Sequence, residues 1–239
     1  PGRVTSAEPE IRVAATVVLL RDGGAGVEVW LLTRAAQMAF AAGASVFPGG
    51  RVEAADAAVP WSGTPVRLFA ERFDCTDEQA AALVGAAVRE TFEETGVLLS
   101  APASDLGQHR SEVEAGRLLF ADLLREHGLA IDADSLRPWA RWVTPPGQPR
   151  RYDTHFFVAA LPPGAQAADV TTESSVAQWV AVADALAEEE QGRRTLMTPT
   201  LTTLKALTEF ATVAEVLAGA DERDVTAIRP TRPNARDRL

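Results

Sequence analysis

The chain carries a single cysteine, Cys75, in 239 residues, so no internal disulfide can staple it. That fits a reducing compartment, and a cytoplasmic location is expected. Long apolar runs are missing too: the longest near-apolar stretch, Val13 to Leu20, is far too short to span a bilayer. No basic and apolar leader opens the chain, and its first residue is not Met, which fits processing or trimming; no secretion signal is expected. Basic charge is scarce. Lys and Arg number 23 against 33 Asp and Glu, and the net charge of −10 argues against nucleic acid or an anionic membrane as a partner. It does not exclude a small polyphosphate, which a few local arginines and a metal can hold. Internal repeats and low-complexity linkers are also absent.

What is present is an ordinary globular composition, 46% apolar and 23% charged, which predicts a sizeable core. Val- and Leu-rich residues 11–21 and 27–33 predict two strands joined by the turn at 22–26, a hairpin. Short pieces follow: a strand at 45–47 and a helix at 65–72. Ser111, with Glu114 three residues on, predicts one helix over 112–126 with Leu118, Leu119, Leu123 and Leu124 on its buried side. Strands are expected at 139–144, 152–161 and 176–182, and a short helix at 183–190. Thr198-Pro199 opens a last helix whose apolar face, from Leu201 through Leu204, Leu207, Phe210, Val213 and Val216, serves core or dimer contact. The tail from Arg229 reads as extended. One α/β domain, strands sandwiched by helices, accounts for the pattern.

The most informative stretch runs from Arg89 to Val97. Thr76 with Gln79 forms a capping box, Gly96 suits a left-handed stop, and Ala80, Val84, Ala87, Val88 and Thr91 make an apolar stripe, so a helix is predicted over 77–95. Glu90, Glu93 and Glu94 then share one face of its last turn. Three carboxylates at the negative end of a helix dipole repel one another and oppose the dipole. A divalent cation reverses that penalty, and carboxylate oxygens are what Mg²⁺ or Mn²⁺ prefers. Upstream, Phe47-Pro48-Gly49-Gly50-Arg51 is a turn that lets backbone approach a ligand.

Together these stretches resemble the Nudix box. Gly50 matches its leading Gly, and Arg89, Glu90, Glu93, Glu94, Gly96 and Val97 match its second half. Asp56 stands where the box has a Glu, Thr91 where it has an apolar residue, and residues 57–88 separate Asp56 from Arg89 where the box has seven positions. Leu31-Leu32-Thr33-Arg34-Ala35, Gly43 and Phe47-Pro48-Gly49-Gly50 resemble the signature of coenzyme A-hydrolysing members, with Ala39 at its second Arg position and Thr33 abutting Arg34. A branch with a long insertion in its box is the nearest likeness, supported by Ala54-Ala55-Asp56, Trp142-Val143-Thr144-Pro145 and the run from Arg151 to Phe157.

The resemblance implies a Nudix α/β/α sandwich with a mixed central sheet: a single domain over 1–239, its core at about 11–185, an insertion at about 57–80 and a C-terminal helical extension at about 198–239. It implies hydrolysis of a nucleoside diphosphate linked to another group, with Mg²⁺ or Mn²⁺ held by Glu90, Glu93, Glu94 and the Gly49 carbonyl, and with Arg89 orienting the glutamates. Glu173, in the loop before Trp179, and Glu53 are alternative general bases. Arg34, Gly43, Phe47, Gly50, Arg51 and Arg151 are candidate substrate contacts; Phe47 and Trp142 are candidates to stack on adenine, with a core role the first reading for each. His155 reads as structural. The insertion from 57 to about 76 is placed to be a lid or acyl pocket. Coenzyme A or an acyl-coenzyme A is the expected substrate; ADP-ribose or NADH, and a non-catalytic Nudix-fold regulatory module, stay open. The resemblance leaves room for a homodimer.

Overall fold

The computed structural model describes residues 9–34, 43–168 and 174–234. The chain opens with β1 (Ile11–Gly23) and β2 (Gly26–Arg34), an antiparallel hairpin turned at Gly26, whose φ of 109° favours a residue without a Cβ. β3 (Ala44–Val46) and β4 (Gly49–Arg51) follow, then a 3₁₀ turn (Ala54–Ala58), β5 (Trp61–Ser62), α1 (Val66–Phe73) and α2 (Asp77–Thr95). Next come β6 (Ser100–Ala101), α3 (Arg110–Glu114), α4 (Phe120–Glu126), β7 (Ala130–Asp132), β8 (Leu136–Val143) and β9 (Arg151–Ala160). β10 (Ser174–Ala181), α5 (Val182–Glu190), β11 (Thr195–Leu196), α6 (Thr198–Leu207) and α7 (Val213–Glu222) complete the described chain.

The main sheet has eight strands and is mixed, with the path β11-β3-β2-β1-β9-β8 and with β10 on β2 and β4 on β1. β1 is its axis. One edge pairs in parallel with β9 from Ile11↔Arg151 to Leu20↔Ala160. The other edge forks: Leu20 to Gly23 pair with β2, whereas Ala14 to Thr16 pair with β4. At the fork the Val17 amide donates to the Pro48 carbonyl at 2.9 Å, which draws the Gly-Gly turn onto the sheet. A Cβ on Gly49 would stand 2.5 Å from the Ala15 carbonyl oxygen, so the pairing requires glycine there.

Alternation along β1 splits the core in two. Ala15, Val17 and Leu19 face α1, α2 and α4, packing with Phe69, Phe73, Val84, Phe92 and Leu123. Val18 and Leu20 face α5, α6 and α7, packing with Ala185, Leu204, Leu207, Val216 and Ala220. The result is the expected α/β/α sandwich. A small three-stranded sheet, β5-β7-β6, ties the segment before α2 to the segment after it. No described helix is long and apolar enough to cross a membrane.

Three expectations need correction. The helix expected over 112–126 is two pieces. Gly116 at φ 65° ends α3, Ser111 lies inside α3 with His109 as its N-cap, and Leu119 is 54% exposed in front of α4. Leucine spacing cannot register a break made by one backbone angle. The last helix is likewise split, because Thr212 caps a new start by accepting from the Glu215 amide at 3.3 Å. Both pieces keep their apolar side in the core. Finally, residues 57–76 are not a lid: Phe69 and Phe73 are buried with the α2 cluster, and no described residue of this segment lines the main cavity.

Candidate active site

α2 owes its limits to local chemistry. The Thr76 hydroxyl accepts from the Gln79 amide at 3.2 Å, and the Gln79 side chain accepts from the Thr76 amide at 3.0 Å. Gly96 stops the helix at φ 74°, its amide donating to the Phe92 carbonyl. One face is buried from Ala80 to Thr95. The last turn therefore carries Glu90, Glu93 and Glu94 to the fork in the sheet.

Arg89 organises these carboxylates with all five N–H donors of its guanidinium. Nε and Nη2 donate to the two oxygens of Asp56 at 2.7 and 3.1 Å, and Nη2 also donates to the Arg51 carbonyl at 3.0 Å. Nη1 donates to Glu90 Oε1 at 2.9 Å and to Glu93 Oε1 at 3.2 Å. Glu94 Oε2 accepts from the Gly49 amide at 2.8 Å, so it joins the Gly-Gly turn. Asp56 is 2% exposed and Arg89 8%, so this is a buried, hydrogen-bonded charge network.

Burial pushes the Glu90 carboxyl up to about 7 against the opposing pull of Arg89, and it raises Glu93 in the same way. The Arg89 guanidinium goes further above its ordinary value: its bond to Asp56 and the neighbouring acids outweigh burial, which acts the other way. Among the described residues no three acidic, His or Cys side chains are gathered at metal-ligand spacing, and the glutamate oxygens accept from Arg89 and the Gly49 amide. The donor set nevertheless suits a hard divalent cation. Carboxylate oxygens border the cavity, and two of these groups are held against their charge by burial that a cation would offset.

Those three glutamates border a cavity of about 610 Å³. Gly49, Gly50, Arg51, Glu53, Arg34 and Phe47 also line it, and so do Thr16, Trp142, Thr154 and Phe156 from the sheet. Arg34 has a buried Nε with no hydrogen-bond partner among the described residues. Phe47 is 3% exposed and shared with the core, whereas Trp142 is half-buried. Glu173 and Ala39 lie outside the described residues.

Two expected contacts are placed elsewhere. Arg151 is buried, donates from Nε to the Thr144 carbonyl at 3.1 Å, and is not among the lining residues. Strand alternation explains this: Tyr152, Thr154 and Phe156 face the cavity, so Arg151 shares the opposite face with Asp153 and His155. Its neighbour Arg150 lines the cavity instead. Gly43 closes a turn at φ 73°, its amide donating to the Arg34 carbonyl at 3.0 Å, and it is likewise absent from the lining. His155 is buried edge-on to Phe73 at 4.8 Å, on the face away from the cavity, as a structural role requires.

The sequence reading missed Glu114, and the far wall built by Met197 to Thr200, Pro230 and Pro233. In the sequence Glu114 reads as a capping partner of Ser111, whereas both lie inside α3. Pro230 and Pro233 follow a bridge between Ile228 and Trp142 that no local motif announces.

A forked mixed sheet between two helical layers, with this glutamate-bearing helix at the fork, defines a Nudix domain. The model of the NUDT19 Nudix domain matches residues 69–205, more than half of the chain, and the chain belongs to that family. Among its relatives is the acyl-coenzyme A diphosphatase NUDT19 of Gallus gallus, 31% identical over 192 residues, covering 58% of this chain and 50% of the relative. The Homo sapiens protein of the same name is 29% identical over 181 residues, covering 57% of this chain and 48% of the relative. The chain thus spans about half the length of these curated relatives. The crystal structure of a Nudix hydrolase from Alicyclobacillus acidocaldarius superposes with a TM-score of 0.73 at 29% identity, covering 87% of this chain and 96% of the other.

Proposed function

We propose that this chain is a divalent-metal-dependent diphosphatase, with Mg²⁺ or Mn²⁺, that cleaves coenzyme A or an acyl-coenzyme A to 3′,5′-ADP and phosphopantetheine or its acyl form. The observation that carries the reading is the Arg89 network, which holds Glu90 and Glu93 on the wall of a cavity large enough for a nucleotide. The names of the relatives direct the choice of substrate.

The chemistry adds one water across the diphosphate. The water oxygen bonds to one phosphorus, the bond from that phosphorus to the bridging oxygen breaks, and the water proton passes to a base. The difficulty is accumulated negative charge on the phosphates. A bound cation supplies charge neutralisation and a more acidic water. Glu90, Glu93 and Glu94, with the Gly49 carbonyl, are the groups to hold it. Arg89 keeps two of those carboxylates in place, and Arg34 and Arg51, which line the cavity, are the candidates to meet phosphate oxygens. Glu53 lies on the same wall and remains a base candidate beside Glu173.

The test is hydrolysis by purified protein with Mg²⁺, using coenzyme A, an acyl-coenzyme A, ADP-ribose and NADH side by side and chromatography of the products. Release of 3′,5′-ADP is expected. Cleavage of ADP-ribose or NADH alone would keep the metal chemistry and remove coenzyme A. No cleavage of any of them would favour a regulatory module.

A further inference from the structure

The last turn of α2 leaves carbonyls to be satisfied from outside the helix, and the Ala168 amide takes that of Thr95 at 3.0 Å. The Gly96 amide donates to the Phe92 carbonyl, and the Val97 amide turns to the Thr95 hydroxyl at 3.0 Å. Neither reaches the Glu93 carbonyl. Final helix carbonyls lack intrahelical partners and concentrate the negative end of the dipole, here beside three carboxylates.

Arg110, the first residue of α3, supplies the missing donor through Nη1. The same nitrogen pairs with Glu114 Oε2 at 3.2 Å, an i,i+4 pair along α3. The Arg110 side chain is 13% exposed, so solvent does not dilute these contacts as it does those of a surface pair. Glu114 in turn borders the cavity with Glu93 and Glu94. Glu93 is therefore held at both ends: its carboxylate by Arg89 and its main chain by Arg110.

We propose that Arg110 is a positioning residue of the site. By holding the Glu93 carbonyl and the Glu114 carboxylate together, it fixes the last turn of α2 against α3, and so fixes Glu93 and Glu94 toward a divalent cation and the diphosphate bound with it. Arg110 touches neither substrate nor cation and acts through Glu93. This inference rests on the diphosphatase reading above.

The test uses Arg110→Met, Arg110→Gln and Arg110→Lys, each assayed for Mn²⁺ binding by electron paramagnetic resonance without substrate, for kcat and KM on acyl-coenzyme A, and for thermal unfolding. Loss of a group that orients metal ligands costs roughly 10–100-fold in metal affinity or activity. Arg110→Met is expected to show a loss of that size in kcat or Mn²⁺ affinity, with KM close to the parent's. Gln keeps an N–H donor for the carbonyl and Lys keeps charge and donor, so both should recover most of the loss. Parent-like Mn²⁺ binding and kcat in Arg110→Met would overturn the proposal. So would a loss that follows the unfolding temperature and is recovered by neither Gln nor Lys. If the parent does not cleave acyl-coenzyme A but Arg110→Met still weakens Mn²⁺ binding, the substrate reading fails and the positioning role stands. A parent that binds no Mn²⁺ would end both.

Discussion

The guanidinium of Arg89 and the carboxylate of Asp56 meet in a buried two-bond pair, at 2.7 and 3.1 Å, across 33 positions of sequence. This contact rejoins the two halves of the interrupted motif. Asp56 fixes the plane of Arg89, and that plane decides where Nη1 delivers its bonds to Glu90 and Glu93. The residues between them pack into the core on the α2 side, so the insertion lengthens the chain without opening the site.

Removing Asp56 leaves Arg89 buried without its principal partner, which in comparable sites costs about 3–5 kcal/mol. Asp56→Ala should lower the urea midpoint accordingly and depress turnover as well, since the orientation of Glu90 and Glu93 depends on the same guanidinium. Equilibrium unfolding with a parallel activity assay checks both. Unchanged stability would show that the pair does not carry this weight in solution.

Two glycines should respond differently to the same substitution. A Cβ on Gly85 would lie 2.1 Å from the Asp56 carbonyl oxygen, a backbone atom that cannot step aside without moving the 3₁₀ turn. Gly85→Ala should therefore destabilise the fold, although alanine in an exposed helix interior gains about 1 kcal/mol over glycine. A Cβ on Gly50 would lie 2.3 Å from Glu90 Oε1. Gly50→Ala should displace that carboxylate and cut turnover with a smaller change in melting temperature. Thermal melts and initial rates on the two variants separate these outcomes.

His155 gives a pH dependence with a definite sign. Burial lowers its folded value to about 4, with Arg141 adding to the lowering and Asp153 opposing it. The unfolded chain takes up the proton near pH 6.5, so between about 6.5 and 4 the unfolded state binds more protons. Stability should fall as pH drops through that window, by at most about 3 kcal/mol from this group, with no further loss from it at lower pH. His155→Phe should flatten this part of the curve. A stability profile between pH 4 and 7 identical to the parent's would contradict the assignment.

Much of this arrangement was legible because it rests on local chemistry. Thr76, Gln79 and Gly96 announce both ends of α2, and the spacing of Glu90, Glu93 and Glu94 announces its charged face. The split motif was legible too, but not the reason it works, since the Arg89–Asp56 pair forms only when the sheet fork and the helix come together. Arg151 was misplaced by one residue of strand parity, which exchanges it with Arg150 at the cavity wall. The sequence shows the i,i+4 spacing of Arg110 and Glu114, but the contact of Arg110 with Glu93 carries no signal, because that partner is a main-chain carbonyl. The breaks at Gly116 and Thr212 were overlooked for a related reason: apolar spacing continued across both, while a single backbone angle and a single cap ended the helices.

The most direct measurement is kcat/KM for acyl-coenzyme A hydrolysis at saturating Mg²⁺, parent against Glu93→Gln, with melting temperatures recorded for both. The account predicts a fall of roughly 10²–10³-fold, the scale on which losing one group that stabilises transition-state charge is felt, together with a similar melting temperature and release of 3′,5′-ADP by the parent. A Glu93→Gln variant that turns over at the parental rate would remove Glu93 from the chemistry and contradict the account.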